Sequence, residues 1–210
     1  MNVITIEREY GSGAPAIAEE LSRRLGWTLW DHELTCEIAR RLKCDTAAVE
    51  KREERLDPTF YRLAKIFMRG SNERSFSAGN VELLDADNLS LLFERVILDV
   101  AARGRCVIVG RAAPWFLRER NDAFHVFIYG SREDKIRRLI AQGKSPEEAE
   151  DLVDNVDKER AAFIRKYYGK SWPQRDLYHL MINSKVGTSI VVNLILSEME
   201  ALSRPQQLSA

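Results

Sequence analysis

Along this chain, short runs of valine, isoleucine and other apolar residues alternate with longer stretches in which apolar positions recur every three or four residues. The first pattern is that of a strand buried on both faces, the second that of an amphipathic helix. Their alternation predicts βαβ units around a parallel sheet, an α/β fold. Strands are predicted at Asn2 to Ile6, Thr28 to Trp30, Arg105 to Val109, Phe124 to Tyr129 and Leu177 to Ile182. Helices are predicted at Pro15 to Leu25, Asp31 to Leu42, Leu89 to Arg103, Ser131 to Ala141 and Thr188 to Leu202, with Asp31 and Ser131 as N-caps. Ser145-Pro146-Glu147-Glu148 joins an N-cap serine, a first-turn proline and a glutamate three residues on, a capping box that starts a long helix towards Tyr168.

Between Asp45 and Asp87 no strand pattern occurs. The composition there is charged and helical, broken at 70–75 and 77–80 by glycine, serine and asparagine, which predicts a helical insertion with a loop at its tip. At 210 residues the chain suits one domain with a sizeable insertion. Its 32 basic and 32 acidic residues balance, so no overall field attracts nucleic acid or an anionic membrane, and any phosphate site must be a local arrangement of arginines. With no apolar run long enough to span a bilayer and no leader pattern, a cytoplasmic protein is expected. Cys36, Cys44 and Cys106, an odd count without C-x-x-C spacing, fit reduced thiols. His32 and Cys36 lie one helical turn apart, but no second pair completes a metal site, and none is expected.

The chemistry concentrates where strands end, because ligands of doubly wound sheets lie outside the carboxyl ends of the strands. Ile4 to Gly13 reads as a strand, a glycine-rich turn and a helix start, an arrangement that points backbone N–H groups at a phosphate. A full phosphate loop would continue with lysine and a hydroxyl residue; here Ala14-Pro15-Ala16 follows. Arg8, Gly11, Ser12 and Gly13 follow the first strand, Asp31 the second and Gly110-Arg111 the third. Arg111, after an apolar run, either meets a ligand or pairs with Asp31 or Glu7. Lys158, Arg160, Arg165 and Lys166, ahead of Gly169-Lys170-Ser171-Trp172, form a late basic cluster. It is either a solvated helix face or a source of two guanidinium forks, from Arg160 and Arg165, aimed at one anion. Tyr167, Tyr168 and Trp172 read either as the pinned end of a helical flap or as packing against the sheet.

Taken in order, Ile4 to Gly13, Leu25-Gly26-Trp27, Trp30-Asp31-His32-Glu33, Cys106 to Arg111, Val126-Phe127-Ile128 ahead of Arg132, Asp157-Lys158-Glu159-Arg160 and Ile182-Asn183 resemble the cytidylate-kinase-like proteins. These are P-loop relatives of the nucleoside monophosphate kinases. The resemblance, from Asn2 to about Glu198, implies a three-layer fold with helices on both faces of a five-stranded parallel sheet. Its core would be 1–30, 104–142 and 177–203, with a nucleotide-binding insertion at 31–103 and a helical lid at 143–176. It further implies phosphoryl transfer from ATP, with Mg2+, to a nucleotide such as CMP. Arg8, Gly11, Ser12 and Gly13 would wrap the donor phosphates; Asp31, Arg111 and Lys170 would face the acceptor; Arg111, Arg160 and Arg165 would act on the transferring group. The chain departs from the family pattern at Ala14 and Pro15, at Ala112, where cytidylate kinases proper carry aspartate, and at His179, where relatives tend to be acidic. Those departures support a second reading, a nucleotide- or phosphate-binding regulatory protein without turnover. A third is an interaction module or homodimer, with Leu83, Leu84, Leu89, Leu91, Leu92 and Phe93 as either a partner face or packing of the insertion.

Overall fold

The computed structural model describes residues 1–31, 33–34, 36–37, 41 and 86–203. The tip at 70–80, most of the helix predicted at 31–42, His32, Cys44, Leu83 and Leu84 lie outside the described residues. The strands β1 (Val3–Arg8), β2 (Thr28–Trp30), β3 (Cys106–Val109), β4 (Ala123–Tyr129) and β5 (Leu180–Asn183) form one parallel sheet in the order β2-β3-β1-β4-β5. β1 is central and every residue in it is buried. Its alternation divides the core. Ile4 and Ile6 pack with Ile17, Leu21, Val191 and Ile195 from α1 (Ala14–Leu25) and α6 (Thr188–Ser203). Val3 faces the other side, where α2 (Ala86–Ala102), α3 (Ala113–Phe116) and α5 (Pro146–Tyr168) contribute Phe93, Val96, Ala113, Phe163 and Ile164. A helical layer therefore covers each face of the sheet. α4 (Arg132–Ala141) joins the first half of α5 through Leu139, Ala149 and Val153.

The caps behave as their chemistry dictates. Ser131 Oγ accepts from the Asp134 N–H and Ser145 Oγ from the Glu148 N–H, each at 3.1 Å. One boundary is corrected and one element is added. β5 begins at Leu180 rather than Leu177: Arg175–Leu177 closes a 3₁₀ turn instead, and Tyr178 packs its ring 5.0 Å from that of Phe127. α3 was hidden by its length, a four-residue helix after β3. Of the proposed partner face, Leu92 and Phe93 are in the core and Leu91 is exposed. No helix among the described residues is long and apolar enough to cross a membrane.

One polar pair lies inside the sheet. His125 Nδ1 and Thr5 Oγ1 are 2.7 Å apart on neighbouring strands, and the His125 N–H donates to Nδ1 of His179 at 2.9 Å. Burial, and then the neighbouring His179, push the His125 imidazole down to about 4. In the unfolded chain it titrates near 6.5, so between those values the unfolded state binds the extra proton and stability falls as pH falls. Acidification through that window is expected to remove roughly 3 kcal/mol through His125. Urea midpoints at pH 7 and pH 4.5 should differ less in His125→Gln than in the parent protein.

Candidate functional site

β1 runs directly into the loop at 9–13, where left-handed glycines turn the backbone: φ is 74° at Gly11 and 82° at Gly13. Backbone turned this way aims successive N–H groups to one side, a nest for an anion. Gly13 is the N-cap of α1 and provides no side-chain cap, so the donors of the first turn remain for a ligand. Among the described residues none accepts from the N–H of Gly11 or Gly13. Ser12 Oγ is buried and also has no hydrogen-bond partner among them. The loop lines an open concavity of about 490 Å³ together with Arg8, Leu139, Gln142 and Arg160.

Neighbouring elements hold the loop. Glu9 Oε2 accepts from Lys135 Nζ at 2.9 Å and from the Gly130 N–H at 3.3 Å. Arg138, on α4, donates through Nη1 to the Gly11 carbonyl at 3.3 Å and through Nη2 to the Ser184 carbonyl at 3.4 Å. The Tyr10 N–H donates to both Asp157 carboxylate oxygens at 3.0 Å. The loop thus already holds one anionic group, supplied by α5. Burial raises the Asp157 carboxyl above the ordinary aspartate range, against the pull of Arg160.

Gly110, Arg111 and Ala112 leave β3 in three consecutive left-handed conformations, with φ of 72°, 60° and 56°. For a residue with a Cβ this costs roughly 1–2 kcal/mol, and such strain persists where the surroundings enforce it. The turn buries Arg111, which is 2 % exposed and the largest fully buried side chain. Burial, then repulsion from Arg8, push its guanidinium down to about 9, with Asp31 and Glu7 acting in the opposite direction. The Arg8 guanidinium lies across Gly110, where any Cβ would collide with it. Arg160 Nη1 donates to the Arg8 carbonyl at 2.9 Å and to Asp157 Oδ1 at 2.6 Å, with its Cζ 5.1 Å from the centroid of Trp172. Burial, then Arg8, lower the Arg160 pKa. Guanidinium groups from three distant segments therefore converge beside the glycine loop. Fixed forks of this kind stabilise charge spread over phosphoryl oxygens.

Asp31 is buried within electrostatic reach of Arg111. Arg165 is exposed in the last turn of α5, five positions beyond Arg160 and away from the cluster. Lys170 stands with Nζ 4.5 Å over the ring of Trp115, in a separate pocket that Glu7 also lines. Tyr168 packs edge-on to Phe116 and Phe163, the packing reading of that aromatic group. At the two later departures, Ala112 caps α3, and His179 accepts from the His125 backbone while stacking on Phe124. Sequence reasoning missed Arg138 and the part played by Asp157. Only Asp157 carried a signal, its i,i+3 spacing from Arg160. Among the described residues no group of three or more His, Cys, Asp or Glu is placed to hold a metal.

The sequence matches the cytidylate kinase-like family over residues 3–186. A cytidylate kinase from Aeropyrum pernix is 26% identical over 137 residues, covering 63% of this chain and 78% of that protein. Among solved structures, an uncharacterized protein from Eubacterium ventriosum superposes with a TM-score of 0.67 at 21% identity, covering 97% of this chain and all of the other. Shikimate kinase from Acinetobacter baumannii, solved in complex with shikimate, gives 0.53 at 16% identity over 98% of this chain and 96% of its own. The sheet order and layers are those of the P-loop kinase fold. With 184 of its 210 positions spanned by that match, this chain belongs to the cytidylate kinase-like family.

Proposed function

We propose that the protein transfers a phosphoryl group from ATP to a small phosphorylated acceptor, a nucleoside monophosphate such as CMP. The observation that carries this reading is the convergence of Arg8, Arg111 and Arg160 on a glycine loop whose amides face an open concavity. The loop fits the phosphates of ATP: the Gly11 and Gly13 amides, the buried Ser12 hydroxyl and the α1 N-terminus are the donors such a chain needs. A magnesium ion held by the protein does not fit. Pro15 stands in place of the ligating hydroxyl, and the described residues form no metal cluster, so any metal would arrive on the nucleotide.

In this reading Arg160 and Arg8 neutralise the group in transit, while Arg111, with Asp31 beside it, receives the acceptor phosphate. Phosphoryl transfer depends chiefly on positioning and charge neutralisation, which these residues supply. Arg138 provides the cation next to the loop that Ala14 does not. Arg138→Ala is expected to weaken ATP binding by about tenfold to a hundredfold, the worth of one charge-assisted hydrogen bond, as calorimetry would register. Release of ADP in a coupled assay, with CMP, UMP and AMP offered in turn, tests the reading. Acceptor-dependent ADP release is expected; silence across the panel together with no ATP binding would sink it.

A second reading, phosphate binding without turnover, has its own support in Pro15, which lacks an N–H, and in Asp157, which already occupies the Tyr10 amide. Under it, Ala14→Lys with Pro15→Ser raises ATP affinity by up to about a thousandfold, three restored donors being worth about 5 kcal/mol. Ala14 is fully buried, so the new ammonium must thread outward along the loop and the gain has that figure as its ceiling. Unchanged affinity in this variant would contradict the role assigned to the missing donors.

A further inference from the structure

Arginine is a long side chain with much rotamer freedom, so a guanidinium aimed at a transferring phosphoryl group has to be held in place. Two bonds hold Arg160 through one nitrogen, Nη1: to the Arg8 carbonyl at 2.9 Å and to Asp157 Oδ1 at 2.6 Å. The third contact is with a ring face. Cζ of Arg160 stands over Trp172, 5.1 Å from its centroid, where the negative face of the indole attracts a flat cation.

Trp172 is itself held by the sheet, four positions past the end of α5 and beyond the Gly169 turn. Glu7 and Phe127 are partners in the β1–β4 ladder, so their side chains leave the same face of the sheet. Nε1 of Trp172 donates to Glu7 Oε2 at 2.7 Å, and its ring meets Phe127 edge-on with the centroids 5.7 Å apart. Glu7 is 2 % exposed, and its other oxygen, Oε1, has no hydrogen-bond partner among the described residues. The indole N–H therefore anchors that carboxylate, and a bond to an ionised acceptor is among the stronger hydrogen bonds. Burial, which lowers the Arg160 pKa most, is opposed by the charges of Asp157 and Glu7. Contact thus runs unbroken from the central strand through Glu7 and Trp172 to Arg160. Packing alone would accept any aromatic residue at 172, whereas the bond to Glu7 requires the indole N–H.

We propose that Glu7 and Trp172 are positioning residues: the indole is a backstop for the Arg160 guanidinium, and the Glu7 carboxylate fixes the angle of that backstop. The proposal rests on the kinase reading above, in which Arg160 acts on the group in transit, and adds the two residues through which the sheet sets its aim.

A double-mutant cycle tests it. Trp172→Phe keeps a ring beneath Arg160 and removes the N–H; it is made in the parent protein and in Arg160→Ala. Turnover is measured by kinetics and pyrophosphate affinity by calorimetry. In the parent background Trp172→Phe is expected to lower kcat by about tenfold to a hundredfold, as a misaimed group does, while KM for the acceptor moves by less than about threefold. Pyrophosphate affinity should fall at least about threefold. In the Arg160→Ala background the same substitution should change either quantity by less than about twofold, because the backstop has nothing left to hold. Glu7→Met deprives the indole of its acceptor and should repeat the loss; Glu7→Gln keeps an oxygen for it and should recover most of it, separating the hydrogen bond from the charge. Trp172→Phe strands the Glu7 carboxylate. Should it fail to fold, Trp172→Phe combined with Glu7→Gln takes its place in the cycle and leaves no buried charge behind. An equal loss in both backgrounds, or no loss in the parent background, makes Trp172 a packing residue and overturns the proposal while the kinase reading stands. A parent protein that phosphorylates nothing, yet whose pyrophosphate affinity shows the coupling, contradicts the kinase reading and supports the tie. A parent protein that neither binds pyrophosphate nor turns over overturns both.

Discussion

Replacing Arg160 with alanine is expected to slow phosphoryl transfer by about 10³- to 10⁵-fold, the range an arginine aimed at a transferring phosphoryl group commands. Arg160 is 5 % exposed, and its bonds to the Arg8 carbonyl and Asp157 fix the direction of its fork. The same substitution strands the Asp157 carboxylate, which burial already destabilises. A melting curve must therefore accompany the kinetics. Asp157→Asn in the Arg160→Ala background should restore thermal stability without restoring the rate, separating folding from catalysis. Arg160→Lys, which keeps the charge and loses the fork, should fall between the two. Single-turnover kinetics would read the transfer step itself. A rate in Arg160→Ala within tenfold of the parent would remove Arg160 from the mechanism.

Arg111 allows a cleaner separation, because its backbone suggests the replacement. At φ 60° glycine is at ease where arginine is strained, so Arg111→Gly deletes the guanidinium and relieves roughly 1–2 kcal/mol of backbone strain. It also removes the repulsion from Arg8 and Arg160 that helps to lower the Arg111 pKa. The cavity left behind acts against both gains. The expected result is a melting temperature above that of Arg111→Ala, with kcat/KM for the acceptor lowered in both by about 10²- to 10⁴-fold, the worth of one or two charge-assisted hydrogen bonds. Arg111→Gly that melts with Arg111→Ala and turns over normally would show the left-handed turn to be structural only.

The features legible in the sequence were those whose physics is local. The glycines of the loop carry direct conformational meaning: the strand, glycine turn and helix start read there are present, with Gly11 and Gly13 both left-handed. The Ser145 capping box places its hydrogen bond within four residues, and α5 begins at Pro146 as read. β5 was misplaced because Leu177 and Tyr178 look like strand residues, whereas the tertiary contact of Tyr178 with Phe127 decides their conformation. Arg165 was grouped with Arg160 as lying on neighbouring helix faces, but five residues along a helix turn a side chain well away, and it is exposed. What the sequence concealed depends on long-range contact. Arg138 reaches the loop across 127 positions and Trp172 reaches Glu7 across 165, and neither pairing leaves a mark in the spacing of residues. The strained turn at Arg111 was equally hidden, since nothing in Val109-Gly110-Arg111-Ala112 requires three left-handed residues.

On the reading proposed above, the loop at 9–13 and the guanidiniums of Arg8 and Arg160 together form an anion pocket. A crystal structure of the protein with inorganic pyrophosphate tests it most directly. The anion should lie against the Gly11 and Gly13 N–H groups, with Arg160 turned onto it. Pyrophosphate bound elsewhere while the loop stays closed over Asp157, at concentrations that saturate binding in solution, would contradict it.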